Sequence, residues 1–289
     1  MSRGFVTLGI NTDKDMIKYS YGLALSIKAS DPTAETCLIV DNGKSDLVPS
    51  KYFHAFNYIT ELPFGNTAHK DGFHGMNFWQ LIHATPFDET IYVDYDTVFT
   101  NVNIELLWDQ MTDNANGFAV SSLSRTFRNT LINYNQYFDI ELHYNLPTNF
   151  NNLIYFDRNS PLAIEWFKLA DPVFQNWRDV YSKLLNDKKP LTFNKNVLAN
   201  IVTHLLDVNS EITVSLNNLY DLDLRSQGLW NDDIPINWTE MLNHWYTNDE
   251  KLIIENYIIS SGIVHYHDKS FLTEDILDVI RAKINSNSR

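Results

Sequence analysis

The amino-acid sequence predicts an α/β fold: a mostly parallel central sheet flanked by helices, in one compact domain over residues 1–289. Three observations predict it. Short apolar runs alternate with helix-spaced segments along the first part of the chain. Each run closes on a turn or a polar residue. No internal repeat, low-complexity tract or Pro/Gly/Ser linker divides the chain.

Taken in order, Phe5 to Ile10 reads as a buried strand, and Asn11-Thr12-Asp13 as the turn and helix cap behind it. Met16, Ser20, Leu23, Ala24 and Ile27 then recur at helical spacing until Asp31-Pro32 stops the helix. Thr36 to Val40 is a second strand, ended by Asp41-Asn42-Gly43, and Tyr58 to Leu62 a third. Phe78 to His83 reads as the end of a helix and Thr90 to Val93 as the fourth strand. This β-α-β-α-β order implies parallel pairing with helices on both faces. Further on, Gly117–Ser121, Leu153–Phe156, Ile212–Leu216 and Gly262–Tyr266 read as strands, and Pro161–Leu169 and Leu198–Leu206 as helices. Two polar and aromatic stretches, 126–150 and 219–246, have no clear period and read as functional covers or binding walls.

Composition narrows the function. A hydrophobic fraction of 44% with 20% charged residues describes a globular chain that buries its own core. The net charge of −14, with no run of Lys and Arg, disfavours nucleic acid and anionic membranes as partners. It would also repel a nucleotide, unless a cation sits at the site. Cys37, the single cysteine, lies in an apolar run, so neither a disulfide framework nor a cysteine zinc site is expected. No secretory leader and no apolar run of about 20 residues is evident, so a soluble, cytoplasmic protein is expected.

Ligands of parallel sheets bind beyond the carboxyl ends of the strands. Asn11, Asp41 and Asp94 all lie at or just past such ends, so three polar residues converge on one crevice. The sharpest feature is Thr90-Ile91-Tyr92-Val93-Asp94-Tyr95-Asp96, where an apolar strand runs into Asp-Tyr-Asp. Residues two apart in an extended chain point to the same side, so Asp94 and Asp96 offer hard oxygen ligands to one cation such as Mn²⁺ or Mg²⁺. Asp221-Leu222-Asp223 has the same pattern but sits in a polar stretch without a preceding buried strand. Near the C-terminus, Gly262 to Lys269 reads as a short strand ending in His265-Tyr266-His267-Asp268-Lys269. A neutral imidazole there can supply a nitrogen ligand, and Lys269 can meet a phosphate.

Four segments in this order resemble the GT-A (Rossmann-like) glycosyltransferases of the glycogenin-like retaining family, and also glycosyltransferases of tailed phages. They are Val6-Thr7-Leu8-Gly9-Ile10-Asn11, Thr85 to Thr97 with its Asp-X-Asp, Phe150-Asn151-Asn152-Leu153, and His265 through Lys269. The resemblance implies a nucleotide-binding half, 1–100, and an acceptor half, 101–289. It implies Leu8 and Asn11, with Asp41 beside them, at the nucleotide. It implies Asp94, Asp96 and His265 at the metal, Lys269 at the diphosphate, and Asn151 facing the donor sugar or the acceptor. The family carries an Asp near the donor sugar; this chain has Asn194-Lys195-Asn196 there, which puts Asn196 at the reacting face. Where the family often has a basic residue before the metal strand, this chain has Phe78, with Lys70 near enough in sequence to substitute. The implied activity is transfer of a sugar from a nucleoside diphosphate donor, UDP-sugars favoured, to a glycan or small-molecule hydroxyl with retention. A non-catalytic sugar-nucleotide or glycan binder, and a phage-type transferase acting on modified DNA bases, are the alternatives.

Other motifs are set aside. Gly43-Lys44-Ser45 lacks the earlier glycine of a phosphate loop, since Leu38 stands in its place. No Gly-x-Gly-x-x-Gly follows the first strand, and neither His-Glu-x-x-His nor Gly-x-Ser-x-Gly is present. His69 and His74 flank loop glycines, which fits a mobile loop or a donor-covering lid. Trp230, Trp238 and Trp245 lie in the second polar stretch, where Trp230 and Trp245 could stack on a sugar ring.

Overall fold

The computed structural model describes residues 1–10, 15–67, 74–113, 116–122, 125–126, 143–147, 149–184, 193–222, 244–246, 251–254, 257–266 and 271–287. Its main sheet begins with the four expected strands, Arg3–Leu8 (β1), Thr36–Val40 (β2), Tyr58–Glu61 (β3) and Glu89–Val93 (β4). Phe118–Ser122 (β6), Asn149–Asp157 (β8) and Thr213–Ser215 (β9) complete seven strands in the order β3-β2-β1-β4-β8-β6-β9. All neighbours run parallel except at β8, which is antiparallel to both β4 and β6.

A second sheet begins just beyond the carboxyl end of β4. It joins Thr97–Thr100 (β5), Arg125–Thr126 (β7), Leu219–Leu222 (β10) and Gly262–Tyr266 (β14) in the order β5-β14-β10-β7. His244–Tyr246 (β11), Leu252–Ile254 (β12) and Tyr257–Ile259 (β13) make a small antiparallel third sheet. The helices are Met16–Ser30 (α1), Leu81–Ala84 (α2), Ile104–Thr112 (α3), Pro161–Gln175 (α4), Trp177–Leu184 (α5), Lys195–Leu205 (α6), Asn209–Ile212 (α7) and Glu274–Asn287 (α8).

The central strands read as unbroken apolar runs because both faces of the sheet are covered. Successive residues serve opposite cores. Val6, Leu8, Tyr92, Ile154 and Phe156 pack with Trp166, Phe167 and Val197 of α4 and α6. Phe5, Ile91, Val93, Leu153 and Tyr155 pack with Leu107, Trp108 and Met111 of α3. A third cluster joins Tyr21, Ala24 and Leu25 of α1 to Ile276, Leu277 and Ile280 of α8. No helix among the described residues is long and apolar enough to cross a membrane.

Several elements differ from the sequence expectation. α1 is capped by Asp15, whose side chain accepts from the Lys18 N–H at 3.0 Å; residues 11–14 lie outside the described residues. Phe78 belongs to a 3-10 segment, His74–Gln80, that leads into the single turn of α2. α4 runs past the expected Leu169 and through Pro172, because Val173 and Phe174 still continue its apolar face into the core. β10 turns part of the expected polar wall into a strand, which places Asp221 at a strand position; Asp223 lies outside the described residues. Gly117, at φ +78, opens β6 where a β-carbon would fall 2.3 Å from that of Ser160, so both the conformation and the space require glycine.

Candidate functional site

The site grows from the C-terminal end of β4. Tyr92, Asp94 and Asp96 are spaced two apart, and the first two meet: the Tyr92 hydroxyl donates to Asp94 Oδ1 at 3.0 Å. The Tyr95 N–H donates to the same oxygen at 3.3 Å. The main chain is pinned on both sides. Asp94 N–H donates to the Asn152 carbonyl of β8 at 2.9 Å, and Tyr266 N–H of β14 donates to the Asp96 carbonyl at 2.8 Å.

β14 lies antiparallel to β5, with His265 opposite Thr97, so the C-terminal strand carries its imidazole to the lip of β4. His265 Nε2 is 3.1 Å from Asp96 Oδ1 and 3.2 Å from Asn152 Nδ2. The Phe150 ring packs edge-on against the imidazole at 5.4 Å. Ligand atoms of Asp94, Asp96 and His265 all lie within 4.8 Å of one another, and all three residues are buried. The chemistry of this donor set suits a hard divalent cation: two carboxylates supply oxygen, one imidazole supplies nitrogen.

A fourth group completes the cluster and was not singled out from the sequence. Lys195, the first residue of α6, places Nζ 2.8 Å from Asp94 Oδ2. Its ammonium lies 5.0 Å from the Tyr92 ring centroid and 5.4 Å from that of Phe78. Phe78 itself is fully buried among Tyr92, Trp166, Phe167 and Phe174. α6 thus brings a cation to the face of the Phe78 ring. Burial, and secondarily the Asp94 charge, hold the Tyr92 phenol well above its ordinary pKa, so it remains a neutral donor. Burial raises Tyr95 and Tyr266 in the same way, with Asp96 adding to both shifts.

The other expected site residues divide. Asn151 is fully buried and ties β8 to α6: its Nδ2 lies 3.0 Å from Asn200 Oδ1 and 3.3 Å from the Asn196 carbonyl. Asn151 Oδ1 and Asn196 Oδ1 are buried with no hydrogen-bond partner among the described residues. Leu8 is completely buried in the core, so its side chain is closed to a nucleotide. Asp41 follows β2, two strands from β4 and so about 10 Å away across the sheet; its Oδ1 accepts from the Asn42 N–H at 2.9 Å. Asn11, His69, Lys70, Trp230, Trp238, His267, Asp268 and Lys269 lie outside the described residues, as do the side chains of His74 and Trp245.

No protein-family model matches the chain, and no curated protein matches it. Solved structures do. A galactosyltransferase, LgtC, solved with donor and acceptor sugar analogues, superposes with a TM-score of 0.56 at 12% identity, over 98% of this chain and 95% of that one. The chain has the GT-A glycosyltransferase fold. Mouse xyloside xylosyltransferase 1 gives 0.53 at 7% identity, over 94% of this chain and 100% of its own. GlyE, a glycosyltransferase of Streptococcus pneumoniae, gives 0.53 at 10% identity, over 98% of this chain and 63% of its own. At these identities the shared property is the GT-A fold.

Proposed function

We propose that the protein is a metal-dependent glycosyltransferase. It moves a sugar from a nucleoside diphosphate sugar, a UDP-sugar by preference, to a hydroxyl of a glycan or small molecule, with retention of configuration. The observation that carries this reading is the buried Asp94–Asp96–His265 cluster at the carboxyl edge of the parallel sheet, within a fold shared with solved glycosyltransferases.

Asp94, Asp96 and His265 would hold Mn²⁺ or Mg²⁺, which when bound neutralises charge on the diphosphate as it leaves. Mn²⁺ is favoured because a mixed oxygen and nitrogen set suits it better than the all-oxygen preference of Mg²⁺. The chain's own residues do the rest. Asp96 and His265 face each other with little freedom, each backed by main-chain bonds of β5 and β14. Leu8 through its main chain, with Asn11 and Asp41, would meet the nucleoside, and Lys269 the diphosphate. Asn151 and Asn196 present buried amide oxygens that can accept from a sugar hydroxyl. In this reading the departing phosphate takes the acceptor proton, so no carboxylate base is needed near Asn196.

The test is binding with and without metal. Asp96→Asn should raise the dissociation constant for Mn²⁺ by more than about 100-fold, since even outer-shell changes cost about 10–100-fold. Mn²⁺-dependent binding of UDP should vanish while the circular dichroism spectrum stays native. His265→Ala should weaken both less. Normal Mn²⁺-dependent nucleotide binding by both variants would sink the assignment. Asn194-Lys195-Asn196 favours a second reading, a sugar-nucleotide binder without turnover. Donor binding without hydrolysis of UDP- or GDP-sugars in Mn²⁺, across a broad acceptor panel, would select it.

A further inference from the structure

We propose that Lys195 is an internal counter-ion that Asp94 exchanges for the metal, and that the released ammonium is then handed to the donor's phosphate or sugar. This rests on the reading of Asp94, Asp96 and His265 as a cation site.

The exchange follows from how Asp94 is occupied. Its Oδ1 accepts from the Tyr92 hydroxyl and the Tyr95 N–H, and its Oδ2 accepts from Lys195 at 2.8 Å. Both carboxylate oxygens are therefore engaged. The two side chains are only 11% and 12% exposed, so water screens the pair weakly. A divalent ion within bonding distance of Oδ2 would sit beside the ammonium in a desolvated site, where like charges repel strongly. One must yield. The Tyr92 hydroxyl and the Tyr95 N–H are neutral donors that a metal at Oδ2 leaves in place; the lysine is the group that leaves.

Lys195 is built to move a short way and no further. Its aliphatic stem passes Gly75, where an added β-carbon would lie 3.6 Å from Lys195 Cβ, and its head rests over the rings of Tyr92 and Phe78. The Tyr92 hydroxyl at 3.4 Å is a second resting point. As first residue of α6 it stands where a helix dipole disfavours a cation, so its partner Asp94 offsets a local cost. Charge balance points the same way. Without metal the cluster of Asp94, Asp96 and Lys195 keeps one uncompensated negative charge; with a divalent ion it becomes positive by one, which turns repulsion of a diphosphate into attraction. The metal thus both occupies Asp94 and frees a flexible cation beside the place it would bring the donor.

The test uses Lys195→Met in the full chain, by calorimetric titration of Mn²⁺ without nucleotide and then of UDP at saturating Mn²⁺. Removing the competitor should tighten Mn²⁺ by roughly tenfold, and removing the ammonium should weaken UDP by roughly tenfold. A merely structural lysine would weaken both or neither. The metal-free variant should melt below wild type, because Asp94 loses its partner, and Mn²⁺ should restore it. If Lys195→Met does not fold without metal, Lys195→Gln, which keeps a neutral donor for Asp94, takes its place and should shift both affinities in the same directions. Unchanged or weaker Mn²⁺ binding by the variant that folds overturns the exchange; unchanged UDP affinity overturns the hand-over. Mn²⁺ binding that wild type shares equally with Asp96→Asn overturns the metal site itself.

Discussion

Tyr92 shows how much of the site is decided by a single hydroxyl. It is fully buried, yet its oxygen reaches Asp94 Oδ1 at 3.0 Å and Lys195 Nζ at 3.4 Å. Hydrogen bonds to charged groups contribute about 1.5–3 kcal/mol when buried. Tyr92→Phe should therefore cost about that much in urea unfolding without disturbing the core, because the ring is retained. A loss below about 0.5 kcal/mol would mean that Tyr92 does not set the Asp94 rotamer. At this scale the sequence was legible where chemistry and periodicity coincide. Asp94 and Asp96 stand out because an apolar strand ends in carboxylates two apart. Lys195 was not legible: its partner lies 101 positions away, and nothing in Asn194-Lys195-Asn196 says which strand the helix will face. Asn152 lies in the Phe150–Leu153 segment, where nothing links it to His265; only the folded chain brings β8 and β14 within 3.2 Å at this pair.

At the scale of elements, α6 is the part that adjusts the centre. Asn194 caps it, its side-chain oxygen accepting from the Val197 N–H at 3.2 Å. The Tyr181 hydroxyl holds the Asn194 carbonyl at 3.0 Å. Asn194→Ala removes the cap and should cost about 1 kcal/mol, which for a chain of this size lowers the melting temperature by roughly 2–4 °C. Because Lys195 follows the cap directly, the same variant should also alter Mn²⁺ affinity. A calorimetric titration that finds the wild-type value would show that the lysine is positioned by its stem alone. Strands β1, β2 and β4 were readable because they are buried on both faces, and β3, at the sheet edge and only partly buried, because an apolar run ends there at Leu62. β5 and β10 were not readable, since β5 follows Asp96 with no turn signal between and β10 lies in a stretch without a clear period. Pairing with β14, far along the chain, is what makes both of them strands.

For the molecule as a whole, buried tyrosines and the buried thiol set the alkaline limit. Burial pushes the Cys37 thiol up to about 12 and holds Tyr92, Tyr95 and Tyr266 above their ordinary range. The folded state keeps protons that the unfolded chain releases, so stability is intact below the unfolded values, near 9 for the thiol and 10 for the phenols. It declines as pH rises toward the folded ones. Urea midpoints should be flat up to about pH 9 and fall steeply beyond 10, with the phenolate absorbance of the buried tyrosines appearing only with unfolding. Complete tyrosine ionisation before any loss of structure would contradict this. The parallel architecture was legible because alternation of strands and helices admits few topologies; the second sheet was not, because it is assembled from short strands scattered between residues 97 and 266. That scatter has a further consequence. β14 contributes its imidazole 113 positions after Asn152. A nascent polypeptide on the ribosome possesses the acidic pair well before its nitrogen partner, and until β14 emerges β5 has an open edge. Assembly of the Asp94–Asp96–His265 cluster therefore waits on β14, and a truncation before that strand leaves two carboxylates without the imidazole that packs against them.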